Sequence, residues 1–107
     1  MARNDSAVAR ARRTSTATTL DPDGRRVGLT AERWAHIKAE HPILSSRLRQ
    51  IMATVREPAR RIDLGADGEE WFLSEEFRPG WWLQVVVHYE EGEGWIATAF
   101  PRKALPR

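Results

Sequence analysis

The sequence lacks cysteine and lacks any long run of apolar residues. Without cysteine the chain has no disulfide framework, no thiolate zinc site and no cysteine nucleophile. No segment approaches the roughly 18 consecutive apolar residues that span a bilayer, and the basic pair Arg12-Arg13 is followed by polar residues rather than by the apolar core of a secretion signal. We therefore expect no membrane partner and a cytoplasmic location.

Length and charge predict one small domain with a basic extension. The chain has 107 residues, 41% of them hydrophobic, which suits a single core. Residues 1–19 carry four arginines against Asp5, a net charge of +3, which leaves 13 of the 17 basic and 14 of the 15 acidic side chains to residues 20–107. Because residues 1–19 lack a pattern of large apolar side chains, we expect a disordered basic tail there and one domain over 20–107. The tail is either an arm that touches nucleic acid or an extension without a specific role.

Two helices are predicted in the first half of the domain. Thr30 has the character of an N-cap before a helix over residues 31–40, and Pro42 ends that helix. Trp34 anchors its buried stripe. A second helix over about residues 44–56 has one apolar stripe, formed by Leu44, Leu48, Ile51, Met52 and Val55.

After Pro58 the apolar period changes from that of a helix to that of a strand. Turn signals at 65–68, 79–80 and 91–94 separate strands predicted at 61–64, 70–77, 83–87 and 95–100, and a short further strand is predicted at 25–29. Connections this short require antiparallel pairing. The predicted class is α+β, with two N-terminal helices packed on a four-stranded antiparallel meander sheet. Alternation along the third strand assigns Leu83, Val85 and Val87 to the core and Trp82, Gln84, Val86 and His88 to an open face; in the last strand Ile96, Thr98 and Phe100 share a face.

The stretch HIKAEHP places His36 and His41 five residues apart. In a regular helix they are separated by about 140° around the axis, so they do not both point into one site. His36, at the margin of the buried stripe, is the candidate for chemistry, unless it is a surface histidine flanked by Glu32 and Glu40. His41 precedes proline at the helix end, where a structural role at the terminal carbonyls is expected.

Several short motifs, in this order, resemble the phage-associated barnase/EndoU/colicin/RelE-like (BECR) nucleases over about residues 27–102. They are TAERWAHI at 30–37, His41-Pro42, the helix end at 54–58, LQVVV at 83–87 and IATAFP at 96–101. The resemblance implies a small metal-independent ribonuclease, often a toxin module, with its site on the sheet and residues borrowed from the first helix. It maps the family's helix histidine to His36 and its terminal motif to Thr98-Ala99-Phe100, where phenylalanine replaces the expected tyrosine.

Metal-free RNA cleavage by transesterification needs a base, an acid and donors around the phosphate, and histidine suits both proton-transfer roles. The predicted catalytic residues are His36, Thr98, His88 and Arg102; the predicted substrate-binding residues are Arg78, Trp82 and Lys103; Trp34 and His41 are structural. No metal and no cofactor are expected. The predicted partners are RNA and a cognate inhibitor or immunity protein, and no oligomeric state is predicted. The alternative is a catalytically inactive relative that binds protein or RNA through exposed tryptophans at Trp81-Trp82.

Overall fold

The structure, a computed structural model, describes residues 15–64 and 68–105. In chain order the elements are strands β1 (Ser15–Leu20) and β2 (Arg26–Thr30), helix α1 (Ala31–Glu40), a 3-10 turn (Pro42–Leu44), helix α2 (Leu48–Arg56), and strands β3 (Arg60–Asp63), β4 (Glu69–Arg78), β5 (Trp81–Glu90) and β6 (Glu93–Arg102). No helix among these described residues is long and apolar enough to cross a membrane.

The six strands form one mixed sheet in the order β1-β2-β6-β5-β4-β3. Neighbouring strands are antiparallel, except that β2 and β6 pair in parallel through Val27 with Gly94 and Gly28 with Trp95. The prediction of two N-terminal helices on a four-stranded antiparallel sheet is therefore wrong, because a hairpin precedes the helices and adds two strands. Both helices and three strands separate β2 from β6 along the chain, so no local turn signal reports their parallel pairing.

Strand β1 falls inside the segment predicted to be a disordered tail. Residues 15–20 pair antiparallel with β2, half-buried and exposed residues alternate, and Ala17 packs against the core. The segment is rich in threonine, whose β-branched side chain favours strands even where large apolar residues are few. The predicted tail is thus corrected at residues 15–19, and residues 1–14 lie outside the described residues.

Helix α1 begins and ends as its local sequence predicts. The Thr30 hydroxyl oxygen accepts a hydrogen bond from the Arg33 backbone N–H at 3.0 Å, a cap that stabilises a helix by about 1 kcal/mol. At the other end His41 is the C-cap, and its backbone N–H donates to the Ile37 carbonyl at 2.8 Å. The following Pro42 lacks the N–H that a further helical turn requires.

Strand β6 pairs with β2 only at Gly94 and Trp95, and beyond these residues its edge lies beside helix α1. The Arg33 guanidinium donates from Nε and Nη2 to the Ala97 carbonyl at 3.0 and 2.8 Å. Further along the helix, the His41 ring lies 6.2 Å from the Phe100 ring. Helix and strand therefore run in the same direction, and Arg33 takes the place of a strand partner at the Ala97 carbonyl.

Both helices cover one face of the sheet, the inner face, and the core lies between. The second helix begins at Leu48 rather than near residue 44, because the 3-10 turn precedes it. The buried residues that form the core are Val27, Leu29, Ile37, Leu44, Ile51, Met52, Val55, Phe72, Leu83, Val85, Val87, Ile96 and Ala99. The predicted core positions of β5 are confirmed.

A β-bulge at Ala97 changes which face the residues of β6 occupy. Ile96 opposes Val87, but Thr98 opposes Val86, so Ala97 is an extra residue without its own partner on β5. Ile96 therefore lies in the core and Thr98 lies on the other face. The predicted grouping of Ile96 with Thr98 is wrong, because one inserted residue reverses the alternation of side chains.

An ion-pair network closes one end of the inner face and joins the β1–β2 turn to β3, β4 and β5. Arg25 donates from Nε to Asp21 and from Nη2 to Glu70, both at 2.8 Å. Arg61 donates from Nε to the other Glu70 oxygen at 2.9 Å, and the Tyr89 hydroxyl donates to Asp21 at 2.7 Å. Asp21 and Glu70 are 4% and 6% exposed, so both carboxylates depend on these partners in place of water.

The protonation states in this network follow from its contacts. Burial opposes ionisation of Asp21, but the hydrogen bonds from the Tyr89 hydroxyl and the Arg25 backbone, with the Arg25 charge, outweigh it and lower the pKa of Asp21. A hydrogen bond from Arg61 is the main cause that lowers the pKa of Asp23. Burial, together with the hydrogen bond to Asp21, raises the pKa of the Tyr89 phenol, which therefore remains a donor.

We expect the Asp21→Asn variant to be less stable than the wild type at neutral pH, with a difference that shrinks in acid. A carboxyl whose pKa is lowered in the folded state stabilises the folded chain at every pH above its ordinary pKa of 3.8. This contribution is lost as the pH falls through the folded-state pKa. Urea unfolding of both proteins across a pH series measures the difference. A difference that stays constant down to the most acidic measurable pH would contradict the expectation.

Candidate functional site on the outer sheet face

The face of the sheet opposite α1 and α2, the outer face, carries most of the predicted site residues. Residues that oppose each other on neighbouring strands point to the same face, so the register arranges β4, β5 and β6 in four rows. Along β5, rows 1 to 4 are Glu69-His88-Trp95, Trp71-Val86-Thr98, Leu73-Gln84-Phe100 and Trp82-Arg102. Successive rows are about 6.8 Å apart, the length of two strand residues.

His88, in row 1, is held between a carboxylate and an aromatic ring. Its Nε2 lies 3.5 Å from Glu69 Oε1, and its ring stacks on Trp95 with centroids 5.2 Å apart and an interplanar angle of 25°. The other Glu69 oxygen accepts a hydrogen bond from Trp71 Nε1 at 2.7 Å. The His88 side chain is 38% exposed, so a ligand on the outer face can reach the imidazole.

Thr98, in row 2, lies between two elements that each carry a histidine. On the β5 side, His88 is its diagonal neighbour, about 7–8 Å away between Cα atoms. On the other side α1 follows β6 from the contact of Arg33 with Ala97. His36 comes three residues later in the helix, about 4.5 Å along its axis, and so lies at the level of Thr98.

The imidazole of His36 pairs with its own helix. Its Nε2 lies 3.0 Å from Glu40 Oε2, and the two side chains are 46% and 50% exposed. Such an exposed pair contributes little stability. This contact with Glu40 is the one expected if His36 is an ordinary surface histidine. The His36 side chain makes no contact with Thr98 that the structure shows, and only its backbone position on α1 brings it near that residue.

Arg102, in row 4, reaches back into row 3. Its Nη1 donates to Gln84 Oε1 at 2.7 Å, and its Nε donates to the Ala104 carbonyl. Gln84 is 2% exposed, so this bond satisfies a buried amide oxygen. Row 3 is about 14 Å from the row of His88, and Arg102 and His88 therefore do not meet at one phosphate.

The adjacent tryptophans Trp81 and Trp82 lie on opposite faces. Trp82 belongs to row 4 of the outer face, whereas Trp81 packs against the core. Arg78 Cζ lies 4.2 Å and Lys103 Nζ 5.5 Å from the centroid of the Trp81 ring, both within cation–π range. The predicted substrate-binding cations are therefore gathered around Trp81 and not around Trp82.

Trp34 and His41 were predicted to be structural, and both belong to α1 or its C-cap. Trp34 packs half-buried against the core, and Lys38 Nζ lies 5.1 Å from its ring centroid. His41 is the C-cap of α1, and its ring approaches Phe100.

Two residues around the site, Glu69 and Trp71, were not among the predicted site residues. Glu69 and Trp71 are two apart in a strand, so alternation alone could have placed them on one face. Their relation to His88 depends on the register of β4 against β5, which shifts between Ser74 and Arg78 and was not predicted from the sequence.

Among residues 15–64 and 68–105, no three His, Asp or Glu side chains are grouped as metal ligands would be. Comparison of the chain with protein-family models, with curated proteins and with solved structures found no match in any of the three. The nuclease resemblance of the short motifs therefore stays a proposal.

Proposed function

We propose that the chain is a small metal-independent ribonuclease-like domain of the BECR type. The observation that supports this most directly is the position of Thr98 between His88 on β5 and His36 on α1. A histidine on each of the two elements that flank Thr98 suits a reaction that needs one base and one acid. The resemblance to the BECR nucleases adds to this proposal a toxin or defence role in the cytoplasm and a cognate inhibitor or immunity protein that blocks the activity.

In the proposed transesterification, one imidazole removes the proton of the 2′-hydroxyl, and that oxygen attacks the phosphorus. The bond from phosphorus to the 5′-oxygen breaks, and the other imidazolium gives its proton to the leaving oxygen. The products are a 2′,3′-cyclic phosphate and a 5′-hydroxyl. Thr98 donates to the phosphate that reacts, Arg102 contacts a neighbouring phosphate, and His36 must turn from Glu40 toward β6.

The alternative is a catalytically inactive relative that binds RNA or protein. It is favoured by the carboxylates that already lie beside both histidines, Glu40 at 3.0 Å and Glu69 at 3.5 Å. The tryptophans of the outer face would then be the binding residues.

Incubation of the purified protein with a mixed RNA pool in EDTA tests the proposal. We expect cleavage that leaves 2′,3′-cyclic phosphate ends, detected by their resistance to phosphatase and by mass spectrometry. Absence of cleavage by folded protein at micromolar concentration would overturn the ribonuclease proposal, and cleavage only after addition of a divalent cation would contradict the metal-independent mechanism.

A further inference from the structure

The outer face presents an aromatic side chain in each of its four rows. In order from row 1 these are Trp95, Trp71, Phe100 and Trp82. All four residues are half-buried, and the Trp95 ring stacks on His88. The rows span about 20 Å, which is the reach of an extended ligand rather than of one small molecule.

Between the rings the surface is closed. Leu73, Gln84 and Val86 occupy the middle of this face and are 0%, 2% and 8% exposed. Arg102 lies over Gln84 and bonds to its amide oxygen. The middle of the face is therefore a closed surface, and we call it, together with the four aromatic residues and Arg102, the platform. A platform of this kind suits flat groups that stack, because each exposed ring offers contact area to one planar partner.

The two ends of the platform differ in charge. Arg102 lies at the row 4 end of this face, whereas Lys103 and Arg78 lie around Trp81 on the opposite face. At the row 1 end are Glu69 and the β5–β6 turn, which carries Glu90, Glu91 and Glu93. A polyanion on this face is therefore attracted to row 4 and repelled beyond row 1.

We propose that the outer face binds single-stranded RNA, with unpaired bases stacked on the aromatic rows and a backbone phosphate at Arg102. The inference rests on the proposed function for the choice of RNA as ligand. Stacking tolerates any base and requires the base faces to be open, which they are in a single strand and are not in a duplex. The Arg102 cation at row 4 complements a phosphate, and this charge favours RNA over an apolar polypeptide.

Fluorescence anisotropy with a short, labelled 2′-O-methyl RNA tests the proposal, because this RNA lacks the reactive hydroxyl and separates binding from cleavage. The single strand should bind more tightly than a duplex of the same sequence. Trp82→Ala should weaken binding roughly 5- to 150-fold, as expected for loss of one stacked base. Trp82→Phe, which retains a ring, should keep most of the affinity and shows whether a loss in the alanine variant comes from misfolding.

The electrostatic part of the proposal has its own matched pair of variants. Arg102→Gln should reduce the slope of log affinity against log salt by about 0.7, the value for one phosphate contact in a single strand. Arg49→Gln removes an exposed charge from α2, on the opposite side of the sheet, and should leave the slope unchanged.

Equal affinity for duplex and single strand, or unchanged affinity of the folded Trp82→Ala variant, would overturn the inference. Absence of any RNA binding by the folded protein would also overturn it and would leave a polypeptide as the occupant of this face. If unmodified RNA is cleaved although one of these binding results is obtained, the ribonuclease proposal stands and only this inference fails. If a single strand binds tightly but is not cleaved, the inference stands and the ribonuclease proposal fails.

Discussion

Replacement of His36 by alanine is expected to slow RNA cleavage by about 100- to 10,000-fold, the usual cost of removing a general acid or base. The fold should survive, because the His36 side chain is 46% exposed and its ion pair is with Glu40, also on the surface. Single-turnover rates in EDTA measure the loss. The pH–rate profile should also lose the limb that belongs to the missing imidazole.

His41→Ala is the matched control, since it removes an imidazole from the same HIKAEHP stretch. The bond that caps α1 comes from the His41 backbone N–H, which alanine retains. The variant loses only the ring that approaches Phe100, so it should be slightly less stable and keep the pH–rate profile unchanged. His88→Ala should slow cleavage in the same range as His36→Ala. Equal losses in the His36 and His41 variants, or a wild-type rate in folded His36→Ala, would show that His36 is a surface residue without a role in the reaction.

Glu70→Ala is expected to lower the free energy of unfolding by about 3 kcal/mol, because it leaves two guanidinium groups without their shared buried carboxylate. Glu70 bonds to Arg25 and Arg61, whose side chains are 26% and 28% exposed, so water offsets part of the loss. For a domain of this size the variant should melt roughly 10–20 °C below the wild type. Urea and thermal unfolding measure both quantities.

Glu75→Ala is the control for this prediction, because it removes the same side chain from an exposed position of the same strand. Its effect should stay within about 0.5 kcal/mol, as for most surface substitutions. Similar losses in both variants would mean that the network at the end of the inner face contributes no more than a solvated charge.

Much of helix α1 could be predicted from the sequence because its signals are local. Thr30 caps the first turn, and Pro42 lies just past the last turn. The turn at Pro79-Gly80 is equally local: Gly80 has a φ of +78°, a conformation that glycine adopts without strain. Features of this kind depend on a few consecutive residues, so the sequence carries them without knowledge of the rest of the fold.

The candidate site could be predicted only in part. Residue type, the helix and strand patterns and the motif resemblance together singled out His36, His88 and Arg102, because few side chains transfer protons at neutral pH or bind phosphate. Their mutual positions were beyond reach, since they depend on strand register. The Ala97 bulge moved Thr98 onto the outer face, and the pairing of β4 with β5 brought Glu69 to His88.

The sequence by itself determined the α+β class, the bounds of α1, the turn at Pro79-Gly80 and the apolar alternation of β5, because the free energy of these features comes from neighbours along the chain. Only the tertiary structure decided that β1 joins the sheet, that β2 lies parallel to β6 and that four aromatic rows share the outer face. The place of β1 and the four rows depend on strand register and on the bulge at Ala97. The parallel pairing joins residues far apart in sequence, where the gain from burial and hydrogen bonds must exceed the entropy of closing a long loop. That balance is set by the whole fold and is not contained in any short motif.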